Sequence, residues 1–144
     1  MGQKVSDTVV IDATPDEVLA VILDLEAYPE WSDDVNSVDV VSTDGQGRPR
    51  DARFDVDARV AQVDYVLRYD YDGPADVQWS LLEGEVLRQL DGSYTLVDRD
   101  GSTHVTYALE VDISMPVPGF IKKRAARTIL DTGLKGLKAR VEST

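Results

Sequence analysis

One side chain in this sequence, His104, exchanges protons near neutral pH without help from its surroundings. Facing a bound ketone, it could enolise it. Its neighbours argue against that position. His104 shares one face of an alternating stretch with Thr106, Glu110 and Asp112, so it is expected on the wet side of a strand. The other chemistries are thinly represented. The absence of cysteine excludes disulfides, thiolate metal sites, iron–sulfur clusters and a cysteine nucleophile, and a single histidine cannot build a multi-histidine metal site. Ser32, Ser80, Ser93 and Ser114 lack a histidine in any recognisable catalytic pattern, and there is no nucleophile elbow or glycine-rich phosphate loop. Asp55, Asp57, Asp64, Asp70 and Asp112 fall on polar strand faces, with no pair whose spacing demands acid–base work. No metal and no cofactor is expected.

What remains is aromatic. Tyr65, Tyr69 and Tyr71 recur on one face of a strand, Tyr107 on the same kind of face in another, and Trp79 and Tyr94 alternate with apolar neighbours. Tyrosines around a cavity would offer ring surface and a few orienting hydroxyls to an aromatic or polyene ligand. In an ordinary core the same rings would simply pack. The C-terminal segment poses a matching question, because Gly133 and Gly136 sit inside a helical pattern where glycine costs up to ~1 kcal/mol relative to alanine. Such small residues either leave room for a ligand or allow close helix–sheet contact. The candidate ligand-contacting set is Phe54, Tyr65, Tyr69, Tyr71, Trp79, Tyr94, Tyr107, Ile129, Gly133 and Leu137. Tyr28-Pro29-Glu30-Trp31 could line a pocket mouth, but Trp31 is expected to serve as a structural corner.

The elements that must position these residues follow from periodicity. Val5 to Asp12 reads as a strand. Thr14-Pro15-Asp16-Glu17 is a helix start with the capping-box spacing, followed by Val18, Val21, Ile22 and Leu25, and this helix is expected to stop before Pro29. Val35 to Ile113 reads as six consecutive strands separated by turn signals, among them Asp44-Gly45, Asp72-Gly73-Pro74, Glu83-Gly84, Asp91-Gly92 (a turn or a bulge) and Asp100-Gly101. Met115-Pro116-Val117-Pro118-Gly119 breaks the pattern. Phe120 to about Val141 then carries Ala126, Ile129, Leu130, Leu134, Leu137 and Val141 at helical spacing. An apolar sheet face needs a cover, and only this last helix is large enough. The expected class is α+β, with a curved antiparallel sheet wrapped around the C-terminal helix in a single domain spanning 1–144.

Composition sets outer limits. With 42% apolar and 29% charged residues the chain is an ordinary globular sequence. Its net charge of −12 repels phosphate backbones, so a nucleic-acid partner is not expected. From Phe120 onward, however, seven bases face two acids. Lys122, Lys123, Arg124 and Arg127 beside Met115, Val117 and Phe120 could contact an anionic membrane surface weakly, or could be a solvated helix face. No apolar run is long enough to span a bilayer, and no secretory leader is read, so a cytoplasmic location is expected. Gly2 and Ser6 fit the loose myristoylation pattern without other support.

The opening strand, the Ala13-Thr14-Pro15-Asp16-Glu17-Val18 helix start, the Tyr28–Trp31 corner and the Pro116-Val117-Pro118-Gly119-Phe120 run into a basic helix resemble the START-like (SRPBCC) superfamily. The nearest branch is the polyketide cyclase/dehydrase and lipid-transport group, similar to coenzyme-Q-binding proteins. The resemblance covers essentially the whole chain. It implies a helix-grip fold, a seven-stranded sheet around the long helix, with a cavity for an apolar ligand. Binding of a hydrophobic or aromatic small molecule (polyketide, quinone or lipid) is the leading expectation. The alternative is a cyclase or aromatase acting in the same cavity. With tyrosines inward and His104 outward, binding leads; positioning alone can still promote cyclisation of a reactive chain.

Overall fold

The computed structural model describes residues 3–57, 62–73, 75–114 and 116–143. Gly2 of the acylation pattern, Pro74 of one turn signal and Met115 of the breaker segment lie outside them. The chain runs β1 (Gln3–Ile11), α1 (Pro15–Leu23), a 3₁₀ helix (Leu25–Glu30), β2 (Val35–Thr43), β3 (Pro49–Asp57), β4 (Gln62–Tyr71), β5 (Asp76–Gly84), β6 (Leu87–Arg99), β7 (Ser102–Ile113) and α2 (Gly119–Glu142). One seven-stranded sheet has the order β1-β7-β6-β5-β4-β3-β2, antiparallel throughout. It does not close, because β1 and β2 form its two edges. Six of its strands are sequential neighbours, so short turns set the order; only β1 is brought in from a distance, beside β7.

Local chemistry fixes the joints. Thr14 caps α1 with a complete capping box to Glu17, and Thr103, fully buried at the start of β7, donates its hydroxyl to the Ala13 carbonyl at 2.7 Å. At the β6–β7 turn Asp100 and Gly101 both have positive φ, the pair a tight two-residue hairpin requires. α1 ends earlier than its sequence pattern implies. The Ile22 carbonyl, which would accept from residue 26 in a continued helix, instead accepts from the Tyr28 hydroxyl, and the chain tightens into the 3₁₀ turn that contains Pro29.

Asp91-Gly92 is neither turn nor bulge. β6 runs through it in regular register with β7, where Gly92 pairs with Leu109, and its pairing with β5 reaches as far as Gly92, opposite Trp79. Gly92 is there because the Trp79 indole occupies the space a side chain would need: an added Cβ would clash with its ring atoms. The sequence signal was correct about glycine and wrong about the reason.

α2 buries Ala126, Leu130, Leu134, Leu137 and Val141, spaced four, four, three and four residues apart. It packs mainly against β1 and β7 and touches α1. Its side chains also take up polar groups of the β1 segment: Arg127 donates to the Ser6 carbonyl, Lys138 to the Val10 carbonyl, and Glu142 accepts from the Asp12 amide. The helix is thereby held over one end of the sheet. That asymmetry leaves β3–β5 without a helix packed closely against them.

Candidate functional site

A cavity of about 250 Å³ occupies that space. Its wall comes from β3 through β7, its rim from the 30s segment (Trp31, Ser32, Asp34, Val35), and its remaining side from Ile129, Thr132 and Gly133 of α2. Two aromatic groups dominate. In one, Trp79 meets Tyr94 at 5.2 Å, Tyr107 at 5.7 Å and Tyr69 at 5.9 Å between ring centres, and Tyr94 and Tyr107, paired across β6 and β7, lie 4.7 Å apart. In the other, Phe54 stacks on Tyr65 at 5.3 Å and meets Tyr28, which packs against Trp31.

The hydroxyls divide sharply. Tyr28 donates to the Ile22 carbonyl and Tyr71 to that of Pro49. Those of Tyr65, Tyr69, Tyr94 and Tyr107 have no protein hydrogen-bond partner among the described residues. Each of these can donate to a ligand or to water in the space it borders. Tyr69, Tyr94 and Tyr107 are only 4%, 7% and 7% exposed, and no side-chain oxygen among the described residues is both sealed off and unpartnered. All four hydroxyls therefore keep some open surface, and all four residues line the cavity. Burial raises the pKa of all four phenols, and for Tyr65, Tyr69 and Tyr94 neighbouring tyrosines raise it further. They remain neutral donors and do not serve as bases near neutral pH.

Of the ten residues singled out from the sequence, eight line this cavity: Phe54, Tyr65, Tyr69, Trp79, Tyr94, Tyr107, Ile129 and Gly133. Tyr71 and Leu137 do not. Tyr71 shares a strand face with Tyr69 but lies at the end of β4, where its ring packs under the Arg48 guanidinium at 4.2 Å and burial pushes its hydroxyl up to about 12. Leu137 is fully buried in the core, about one turn along α2 from Gly133. Gly133 and Gly136 of α2 each face a ring: a Cβ on Gly133 would lie 3.0 Å from Tyr107, and one on Gly136 would lie 3.1 Å from Trp31. Close contact explains Gly136. Gly133 has both a ring against it and the cavity beside it. Trp31, expected only as a corner, also forms part of the rim.

The open seven-stranded antiparallel sheet with one long C-terminal helix has a counterpart in a known family. A family model described as polyketide cyclase/dehydrase and lipid transport matches residues 2–142. The chain belongs to this family. Its fold is the helix-grip START fold. A START superfamily protein from Mycobacterium smegmatis is 26% identical, with 99% of each chain covered and a TM-score of 0.92. The Zhui aromatase/cyclase from Streptomyces is 17% identical over 99% of this chain and 94% of that one, with a TM-score of 0.78. A STAR-related lipid transfer protein fragment from Xanthomonas axonopodis is 22% identical over 96% and 85%, with a TM-score of 0.74. No curated protein matches the chain.

Within this polyketide cyclase/dehydrase family member the ionisable groups lie mostly away from the tyrosines. His104 is on the outer face of β7, in register between the exposed Val10 and Val97. Asp34 and Asp57 stand at the rim. Asp112, expected on the wet face, is buried instead, because β7 passes under the start of α2 there and Lys122 reaches its carboxylate at 2.9 Å. That pair also corrects the basic patch. Lys122 is committed to Asp112, and Arg127 pairs with Asp7 at 2.9 Å, which leaves Lys123 and Arg124 with no ion pair among the described residues. No described helix is long and apolar enough to cross a membrane, and the described residues contain no cluster of metal-ligating side chains.

Proposed function

We propose that this protein binds an apolar or aromatic small molecule, of the polyketide, quinone or lipid kind, in the cavity between its sheet and α2. The observation that carries this reading is the cavity itself: about 250 Å³ of space walled mostly by aromatic and aliphatic side chains, with four tyrosines whose hydroxyls have no protein partner among the described residues, and with Ser32, Asp34, Asp57 and Thr132 as further polar lining. Sites for small molecules have this composition. Cyclisation of a bound poly-ketone by positioning is a second reading, favoured by several neutral donors facing one space; holding a reactive chain folded supplies much of a ring-closing barrier by itself. We also propose a weak contact with anionic membrane surfaces through Lys123 and Arg124, beside the exposed Phe120 and Ile121.

The main reading is tested with a hydrophobic fluorescent dye, N-phenylnaphthylamine, and a Gly133→Leu variant. The new side chain meets Tyr107 and must push it, or itself, into the cavity. The parent should take up the dye and the folded variant should bind it at least ~10-fold more weakly, about 1.4 kcal/mol. Equal binding by the two proteins would place the dye site elsewhere.

A further inference from the structure

Four tyrosine hydroxyls in one cavity are more than packing requires. Phenylalanine would supply the same rings, and the contrast within the molecule is plain: Tyr28 and Tyr71 satisfy their hydroxyls on backbone carbonyls, whereas Tyr65, Tyr69, Tyr94 and Tyr107 satisfy theirs on nothing in the described protein. They come from three strands, β4, β6 and β7, so their convergence on one space is a property of the tertiary fold. We propose that the cavity is built for a compact, flat ring compound carrying two or more hydrogen-bond-accepting oxygens, such as a quinone or a cyclised poly-ketone, and not for a long acyl chain. This rests on the cavity being a ligand site.

Three observations support it. Neutral phenols donate, so they call for acceptors, and their raised pKa values keep them in that state. An acyl chain has none along its length. The aromatic group around Trp79 presents ring faces and edges at 4.7–5.9 Å spacings, a surface that suits a flat partner. The volume, about 250 Å³, lies just under the ~300 Å³ at which pockets for drug-sized ligands begin, which fits a few fused rings and leaves little room for a long chain.

The test is a tryptophan-fluorescence titration with naphthoquinone, naphthalene (the same rings without oxygens) and palmitate. The protein has no cysteine for the quinone to alkylate. The parent should bind naphthoquinone at least ~10-fold more tightly than naphthalene or palmitate. In a Tyr94→Phe/Tyr107→Phe variant that preference should fall about 10- to 100-fold, three- to tenfold for each hydroxyl, with naphthalene binding held within about twofold. Palmitate binding best, or a quinone preference unchanged in the variant, overturns the inference while leaving a cavity that binds apolar molecules. If none of the three probes binds the parent, this inference and the cavity reading fail together.

Discussion

The two halves of α2 are built by different rules. From Ala126 onward every three or four residues a side chain is buried, and Lys138, Arg140 and Glu142 tie the flanks to Val10, Glu30 and Asp12. From Gly119 to Ala125 no residue is buried, the N-cap is Pro118 with no side-chain cap, no acid sits in the first turn, and Phe120 and Ile121 are 67% and 42% exposed. α1, in the same chain, starts with a complete capping box. The contrast teaches that the later half of α2 is there to hold the sheet, while the first seven residues are held chiefly by one polar contact, Lys122 to Asp112. Ile129 and Gly133, at the cavity, lie in the opening turns of the later half.

The largest expected effect lies in the structural half. Leu137→Ala removes a fully buried side chain that does not line the cavity. It should destabilise the protein by about 2–5 kcal/mol, read from urea unfolding, without weakening dye binding by the folded fraction. Phe120→Ala, in the other half, should change stability by no more than ~0.5 kcal/mol. Similar losses from the two substitutions would break the comparison.

A smaller, pH-dependent effect belongs to the contact that pins the helix start. Hydrogen bonding and charge from Lys122 hold the Asp112 carboxyl below its ordinary pKa. A carboxylate lowered by folding stabilises the protein above its ordinary value, about 4, and that contribution fades as pH falls through the lowered value. Lys122→Met should therefore be less stable than the parent at pH 7, with the gap narrowing below about pH 4. A gap that stays constant from pH 7 to pH 3 would show that the ion pair with Asp112 is not what pins the helix start.

How far the sequence reached depends on what each signal encodes. Alternation correctly assigned Tyr65, Tyr69 and Tyr107 to the concave face, since side-chain direction in a strand is a local property. It could not say how far along a strand the cavity extends, so Tyr71, on the same face, fell beyond it. Helical spacing likewise found the buried stripe of α2 and placed Leu137 with Gly133, although the helix rises past the cavity within a turn. Gly92 was read as a turn because its cause, the Trp79 ring on a neighbouring strand, is absent from its own segment. Asp112 misled for the same reason: its partner belongs to another element. Trp31 at the rim and Thr132 on the α2 side carried no periodic signal for a cavity.

The smallest expected effect tests whether the exposed start of α2 does anything. With a net charge of −12 the protein as a whole should avoid anionic vesicles. Lys123 and Arg124, with no ion pair among the described residues and beside Phe120 and Ile121, are a local exception. Each base near such a surface adds about 1 kcal/mol, so together they give at most about a thirtyfold preference for phosphatidylglycerol over phosphatidylcholine vesicles. The preference must shrink with salt, as the screening length falls from ~30 Å at 0.01 M to ~10 Å at 0.1 M. Co-sedimentation of the parent and a Lys123→Gln/Arg124→Gln variant, at both salt concentrations, should show weak binding of the parent at low salt only, and none by the variant. Unfolding curves of the two proteins should coincide, because neither base holds the fold. Equal sedimentation of parent and variant at low salt would remove the membrane role and leave the first turns of α2 as a solvated cap on a helix whose work is done further along.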